Sequence, residues 1–459
     1  MINKILLLIA CIVSLTDALT AHDWKKITGA ETLSVFLNGR IAGHMITTLG
    51  VRGDTVVASS TLETALSAGS GAPIAASISE CYKYRCDGTI ISASQEMSSP
   101  AGKNYWAIDK VNKKWRLKIT AGGVENSRDI ENVRNNFLNT YQMNSGFIDG
   151  TVKAGQIWND TVIELTSGVD VTVKTTCLEV PDAKNGYVWK LVERNSINNR
   201  DESWVVDTTG RIVYKEVFPF VMKPYDVKNK DSTGVNIFEA FMIPASRSAG
   251  VDEKIIISGD SSFVPDGSIE RFYHHVNNGL EFIGIENGCE DIKKMQVTDS
   301  LKPYLQATTT MQIDHPDIRA LSDQFKQSGT VCDRINRMCM YVYRSLKKEY
   351  TATFSSALET YKAGFGDCGE HAVLLAAILR AASIPSRVVF GVVYMPGLKG
   401  YYYHSWVMVW NGSRWIFADP ALGVFPANRD RLPLVIDDSG EKMVALARVI
   451  GRLKVQYAK

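Results

Sequence analysis

The sequence predicts a multidomain chain in which an antiparallel β-rich half precedes an α+β domain. Three observations predict it. At 459 residues the chain exceeds one ordinary core. From about Leu33 to Val221, strand-like runs alternate with turn signals. From His315 onward the period changes, with long helical patterns followed by two apolar strands. Expected divisions are a leader at 1–21, a β-rich domain at 22–221 and a second β-rich section or linker domain at 222–310. An α+β domain at 311–427 and a C-terminal extension at 428–459, with mixed signals and no chemistry of its own, complete the chain.

The leader reads as a targeting segment. Lys4 gives a positive start, Ile5 to Leu15 form an apolar stretch too short to span a bilayer, and Ala18 and Ala21 offer cleavage sites. Mature protein is expected from about His22, exported to the periplasm or the extracellular space. Leu8-Ile9-Ala10-Cys11 also reads as a lipid-attachment box, but the residues after it continue the apolar stretch, so cleavage without an anchor is favoured. No other run is long enough to cross a membrane.

In the β-rich half, Asn38-Gly39, Arg52-Gly53-Asp54, Asp87-Gly88, Asn185-Gly186 and Thr209-Gly210 mark turns. Glu80-x-Tyr82 to Gly88 repeats in the spacing of Glu202-x-Trp204 to Gly210, as a recurring hairpin would. Arg134 to Met143 reads as a short helix. This half resembles the concave sheets of lipoprotein-carrier-like modules. That analogy suggests a lipid or glycan ligand without establishing one. Further on, Asp226 to Gly234 is a polar boundary, and Lys254 to Ser258 and Leu280 to Ile285 read as strands.

In the last third, Thr330 with Asp333 opens a helix running to Lys347. Val331, Ile335, Met338, Val342 and Leu346 recur at three- and four-residue spacing and form its buried face. Gly366-Asp367 is a turn and an N-cap, and Ala372 to Ala382 are strong helix formers stopped at Ser383-Ile384-Pro385. Cys368 therefore falls in the first helical turn, where unpaired N–H groups favour an anion. The thiolate is the nucleophilic form of cysteine. Arg387 to Tyr394 and His404 to Trp410 follow as strands. With a two-residue type I′ turn at Asn411-Gly412, His404 falls directly opposite Asp419 on the same sheet face. A carboxylate there fixes the imidazole tautomer. Cys368, His404 and Asp419 are thus the candidate nucleophile, acid–base and orienting group. His371, one turn beyond Cys368, is the competing base. Glu370-His371 lacks the spacing of a metal helix, and His274-His275, His22, His44 and His315 form no constellation. No metal or cofactor is called for.

Gly-Asp-Cys-Gly-Glu-His-Ala, Ile384-Pro385-Ser386-Arg387-Val388-Val389, His404-Ser405-Trp406-Val407 and Trp415 to Pro420 together resemble the transglutaminase-like superfamily. The resemblance implies an α+β papain-like core with Cys368 as nucleophile, His404 as base and acid, and Asp419 orienting the ring. Two departures stand out: Ser383 replaces a glycine that would cap the helix, and Met408 replaces a common acidic residue. The resemblance implies thioester chemistry on amide bonds of peptides or proteins, as a peptidase or amidase. Hydrolysis is favoured over γ-glutamyl crosslinking because water needs no second specificity site. An inactive scaffold or ligand-binding module is the remaining alternative. The Cys368 N–H is one expected oxyanion donor, and the loop from Tyr350 to Phe354 offers a second.

Composition excludes other classes. A net charge of +2 with no basic runs gives no footprint for nucleic acid. Among the eight cysteines, Cys332 and Cys339 are too far apart on one helix to bridge, at about 10.5 Å between Cα atoms. Cys81 and Cys86 face opposite sides of a strand. Cys177 and Cys289 have no evident mates, and Cys368 is expected to be free.

Overall fold

The computed structural model describes residues 27–458 apart from short internal stretches, the longest at 68–73, 180–186, 228–234, 260–266, 350–354 and 439–445. The leader with Cys11, His22, the Asn185-Gly186 turn and the 350–354 loop lie outside the described residues. The chain divides into two compact units, one ending at Ala240 and the other running from Phe241 to Lys459. The section expected over 222–310 is shared between them.

The N-terminal unit is one antiparallel sheet of fourteen strands, from Gly29–Leu37 to Phe220–Pro224, with the short Val235–Asn236 added in parallel to Thr55–Ser67. One edge is Val124–Ile130. Strands step back in sequence from there to Gly29–Leu37, which pairs with Phe220–Pro224. They step back again to the other edge, Ile157–Glu164. The sheet curls: Ala58, Tyr84, Ala93, Ile108 and Leu117 share a core with Ile163 of the far edge and with Tyr141 of the Leu138–Ile148 helix. That helix lies later than the Arg134–Met143 expected.

Turn chemistry sets the meander. Asn38 and Gly39 take φ of 51° and 77° between the paired residues Leu37 and Arg40, as a type I′ turn requires. The spacing echo is a real repeat of structure. At equivalent positions of the two hairpins the Gly88 N–H bonds the Arg85 carbonyl at 2.9 Å and the Gly210 N–H bonds the Asp207 carbonyl at 3.1 Å. Gly88 and Gly210 take φ of 83° and 82°, and Glu80 and Glu202 are both buried.

The C-terminal unit builds its main sheet in the order Ile243–Pro244, Gly400–Trp410, Ser386–Met395, Arg431–Ile436, with Trp415–Ala418 also paired to Gly400–Trp410. The Cys368–Ala381 helix packs on Ser386–Met395 and Gly400–Trp410. It is apolar nearly all round, and every residue from Gly369 to Arg380 is buried. The Val331–Ser345 helix packs beside it with the expected buried face, and Thr330 and Asp333 form its capping box. The segment after 428, expected to carry no chemistry, supplies Arg431–Ile436 to this sheet. It also pairs Lys454–Ala458 with Lys254–Ser258 in a second sheet.

One departure from the family pattern is compensated and one expectation is corrected. Ser383 itself takes the left-handed conformation, φ 61°, and the Ile384 N–H bonds the Leu379 carbonyl at 2.8 Å. The helix therefore ends on a left-handed cap without glycine. Cys289, expected to have no mate, is disulfide-bonded to Cys332. The bridge fixes the segment before the Val331–Ser345 helix, whose first N–H bonds the Ile292 carbonyl at 2.7 Å. No helix among the described residues is long and apolar enough to cross a membrane.

Candidate active site

Cys368 opens its helix under a double cap. Asp367 accepts the Gly369 N–H at 2.7 Å, and Glu370 accepts the Asp367 N–H at 3.0 Å. The other Glu370 oxygen takes the Ser355 N–H at 3.0 Å. Burial, then the neighbouring Asp367, raises the Glu370 carboxyl well above the usual carboxylate range. Gly366 is required here, since a Cβ would run into the Glu370 side chain. This bracing holds the first turn, and Cys368 itself is only partly buried.

The hairpin bringing His404 and Asp419 together differs from the expected one. Asn411 and Arg414 close a four-residue loop, because the Asn411 side chain accepts the N–H groups of Ser413 and Arg414 and the Ser413 hydroxyl. An Asx-type loop thus replaces the type I′ turn. Trp410 pairs with Trp415 and Val407 with Ala418, so the register is two residues from the one expected. A shift of two preserves the face. Asp419, one residue past the paired stretch, becomes a diagonal neighbour of His404. His404 Nε2 donates to Asp419 Oδ2 at 2.9 Å.

With Nε2 occupied, Nδ1 is the ring nitrogen left for Cys368, which lies close enough to act on the ring electrostatically. The ring stacks over Trp406 at 6.2 Å between centroids, and Trp406 packs edge-on against Phe417. Gly391, paired with His404 on the next strand, leaves room for the Trp406 ring and the Leu432 carbonyl, both of which a Cβ would strike.

Electrostatics favour the ion pair. Burial works against a charged His404, but Asp419 and Cys368 outweigh it, and the ring is raised to about 10. Burial likewise opposes ionisation of Asp419; His404, Arg431 and the Leu422 N–H reverse that and hold the carboxyl well below its ordinary range. Its Oδ1 accepts the N–H groups of Ala421 and Leu422 at 3.1 and 3.0 Å.

The structure brings Cys368, His404 and Asp419 together, while the His371 ring is turned to the backbone of its own helix. The His371 Nδ1–H donates to the Asp367 carbonyl at 2.7 Å, and burial lowers the ring's pKa, so it stays neutral. His315 caps the Pro316–Asp323 helix, and His274 and His275 are exposed on a strand. No cluster fit to hold a metal occurs among the described residues. Sequence reasoning missed Arg431, whose Nε and Nη2 both reach Asp419 Oδ2 at 2.8 Å. The available signal was an arginine heading the apolar run Leu432 to Ile436.

Residues 319–420 match the model of the Transglutaminase-like superfamily. A transglutaminase-like domain, of a superfamily of cysteine-type enzymes, therefore occupies this stretch. No curated protein matches the chain. Three solved structures show low-scoring likeness. A candidate cysteine protease from Cytophaga hutchinsonii is 16% identical over 47% of this chain and 84% of its own, with a TM-score of 0.31. A β-barrel-like protein of the DUF1849 domain from Brucella abortus is 10% identical over 43% of this chain and 95% of its own, also at 0.31. The periplasmic domain of TgpA from Pseudomonas aeruginosa, bound to ethylmercury, is 16% identical over 39% and 93%, at 0.23.

Proposed function

We propose that the chain is an exported acyl-transfer enzyme that cleaves amide bonds of peptides or proteins through a thioester on Cys368. The observation that carries this reading is the buried His404–Asp419 hydrogen bond with the partly buried Cys368 close enough to act on the same ring. The sulfur attacks the amide carbonyl carbon while His404 holds a proton. Negative charge develops on the carbonyl oxygen next to the start of the Cys368–Ala381 helix, where the Cys368 N–H is among the donors a helix leaves unpaired. His404 then protonates the departing amine and becomes neutral. The neutral ring takes a proton from water, which attacks the thioester carbon; acid is released and the sulfur–imidazolium pair is restored. Asp419 keeps the ring in the tautomer that serves both steps.

Hydrolysis is preferred to transfer onto a lysine-type amine, since water needs no second binding site. The Cys289–Cys332 bridge supports export, because such bonds persist in oxidising compartments. An electrophilic peptide probe, followed by mass spectrometry, tests the reading. Cys368 should be labelled, and labelling should collapse in His404→Ala. Adding a glutamine peptide with a primary amine separates hydrolysis, seen as deamidation, from crosslinking. An unlabelled Cys368 in the folded protein overturns the enzyme reading in favour of a scaffold.

A further inference from the structure

We infer that Arg431 is a positioning residue of this site: it aims Asp419 at His404 and supplies the positive charge that leaves the buried group neutral. The inference rests on the proposed reading of Cys368, His404 and Asp419 and assigns a part to a residue outside the 319–420 stretch.

Geometry carries it. The two Asp419 oxygens are held separately. Oδ1 sits on the Ala421 and Leu422 amides, while Oδ2 receives His404 Nε2 and two donors of the Arg431 fork. The fork cannot swing, because Nη1 of the same guanidinium donates to Asn428 Oδ1 at 2.6 Å. The Arg431 backbone is fixed by pairing with Val393 in the sheet that also carries His404. Both Arg431 and Asp419 are buried. A planar guanidinium holds a carboxylate in one orientation as a lysine ammonium does not.

Charge gives the second argument. When the sulfur and ring form an ion pair, the site holds thiolate, imidazolium and carboxylate, a net negative charge with little water. Such a charge is costly unless paired. Arg431 brings the total to zero. The other titratable groups acting on Asp419 do not replace it. His371, on the cysteine's helix, is kept neutral by burial, and Lys348 bears on His371. Cys339, on the Val331–Ser345 helix, is pushed up to about 12 by burial and stays a thiol. Among the described residues acting on Asp419, Arg431 is the permanent cation.

Two measurements on the full chain test this. In a Cys368→Ser background, which removes the sulfur's charge, NMR titration of the His404 ring should show Arg431→Met raising the midpoint by roughly one unit. Arg431→Lys, which keeps the charge without the fork, should restore the midpoint. With Cys368 intact, iodoacetamide alkylation near neutral pH should slow about tenfold or more in Arg431→Met, because an Asp419 free to turn no longer fixes the ring that faces the sulfur. It should recover only in part in Arg431→Lys. A merely structural arginine would lower rates without moving the midpoint. An unmoved midpoint in folded Arg431→Met, or a midpoint in Arg431→Lys still displaced like that of Arg431→Met, overturns the inference. If Arg431→Met does not fold, Arg431→Gln takes its place with the same criterion. Failure of the underlying reading shows differently: Cys368 of the native chain would alkylate no faster than in His404→Ala.

Discussion

Replacing Cys289 and Cys332 together by serine should destabilise the C-terminal unit and leave Cys368 reactive. The bridge closes a loop of 43 residues in sequence. Loop-closure entropy, taken as 2.1 plus 1.5R times the logarithm of loop length, gives about 13 cal/mol/K, or about 4 kcal/mol at 25 °C. For a unit of this size that corresponds to a melting shift of roughly 10 °C. The bridge also has a local task. It fixes the segment holding Gly288, whose carbonyl accepts from the Asn411 side chain at 3.1 Å, and Glu290, which lies 3.6 Å from Arg414. These contacts brace the tip of the hairpin, away from the end carrying His404 and Asp419. Calorimetry of native, reduced and double-serine protein is the assay, with mass spectrometry to count the bond and iodoacetamide to monitor Cys368. The reasoning is refuted if the bond is present in the native chain yet the melt is unchanged on its removal. It is also refuted if Cys368 loses its reactivity while the unit remains folded.

Other expected outcomes are more local. Ser383→Gly should stabilise the C-terminal unit by about 1 kcal/mol, because a left-handed residue at the end of the Cys368–Ala381 helix costs a side chain what glycine avoids; chemical denaturation measures it, and a loss of stability would contradict the cap. Iodoacetamide at neutral pH should mark Cys368 ahead of Cys339 and Cys177, whose thiols burial pushes up to about 12 and about 11; peptide mapping reads the order, and preferential labelling of Cys339 would defeat it. For pH, His404 is raised to about 10 in the folded state. Its stabilising contribution is therefore complete below the unfolded value of about 6.5 and is lost as pH rises through about 10. Between those limits the native chain should lose up to about 1.4 kcal/mol per pH unit more than His404→Gln. Equal slopes in urea unfolding at several pH values would rule this out.

Some of this architecture could be read in the sequence because it is written in local chemistry. The Asn38-Gly39 turn, the Thr330 and Asp367 caps and the periodic face of the Val331–Ser345 helix each need only neighbouring residues. The same holds for Cys368 at its helix start. The hairpin register failed because Asn411 has two competing uses. It can take the left-handed conformation of a type I′ turn, or spend its carbonyl oxygen on the next amides, and only the surrounding loop decides. The approach of Asp419 to His404 survived that error because a shift of two keeps the face. Arg431 and the Cys289–Cys332 pair were illegible for another reason. Each depends on segments far apart in sequence meeting in the fold, and neither has a spacing rule. Ser383 shows the converse: the sequence lacks the usual glycine, yet the backbone takes the same path.

The sheet of the N-terminal unit has a consequence for how the chain can be rewired. Its first and last long strands, Gly29–Leu37 and Phe220–Pro224, are hydrogen-bonded partners at the middle of the strand order, whereas its two edges, Val124–Ile130 and Ile157–Glu164, are neighbours in sequence. Joining the original ends by a short linker and opening the chain between those edges would yield a permuted gene product. Each strand would then lie beside the one encoded just before it, from one rim to the other. Such a rearranged polypeptide would keep every ladder of the native sheet and exchange its most distant pairing for a local one, so it should fold faster while reaching the same structure.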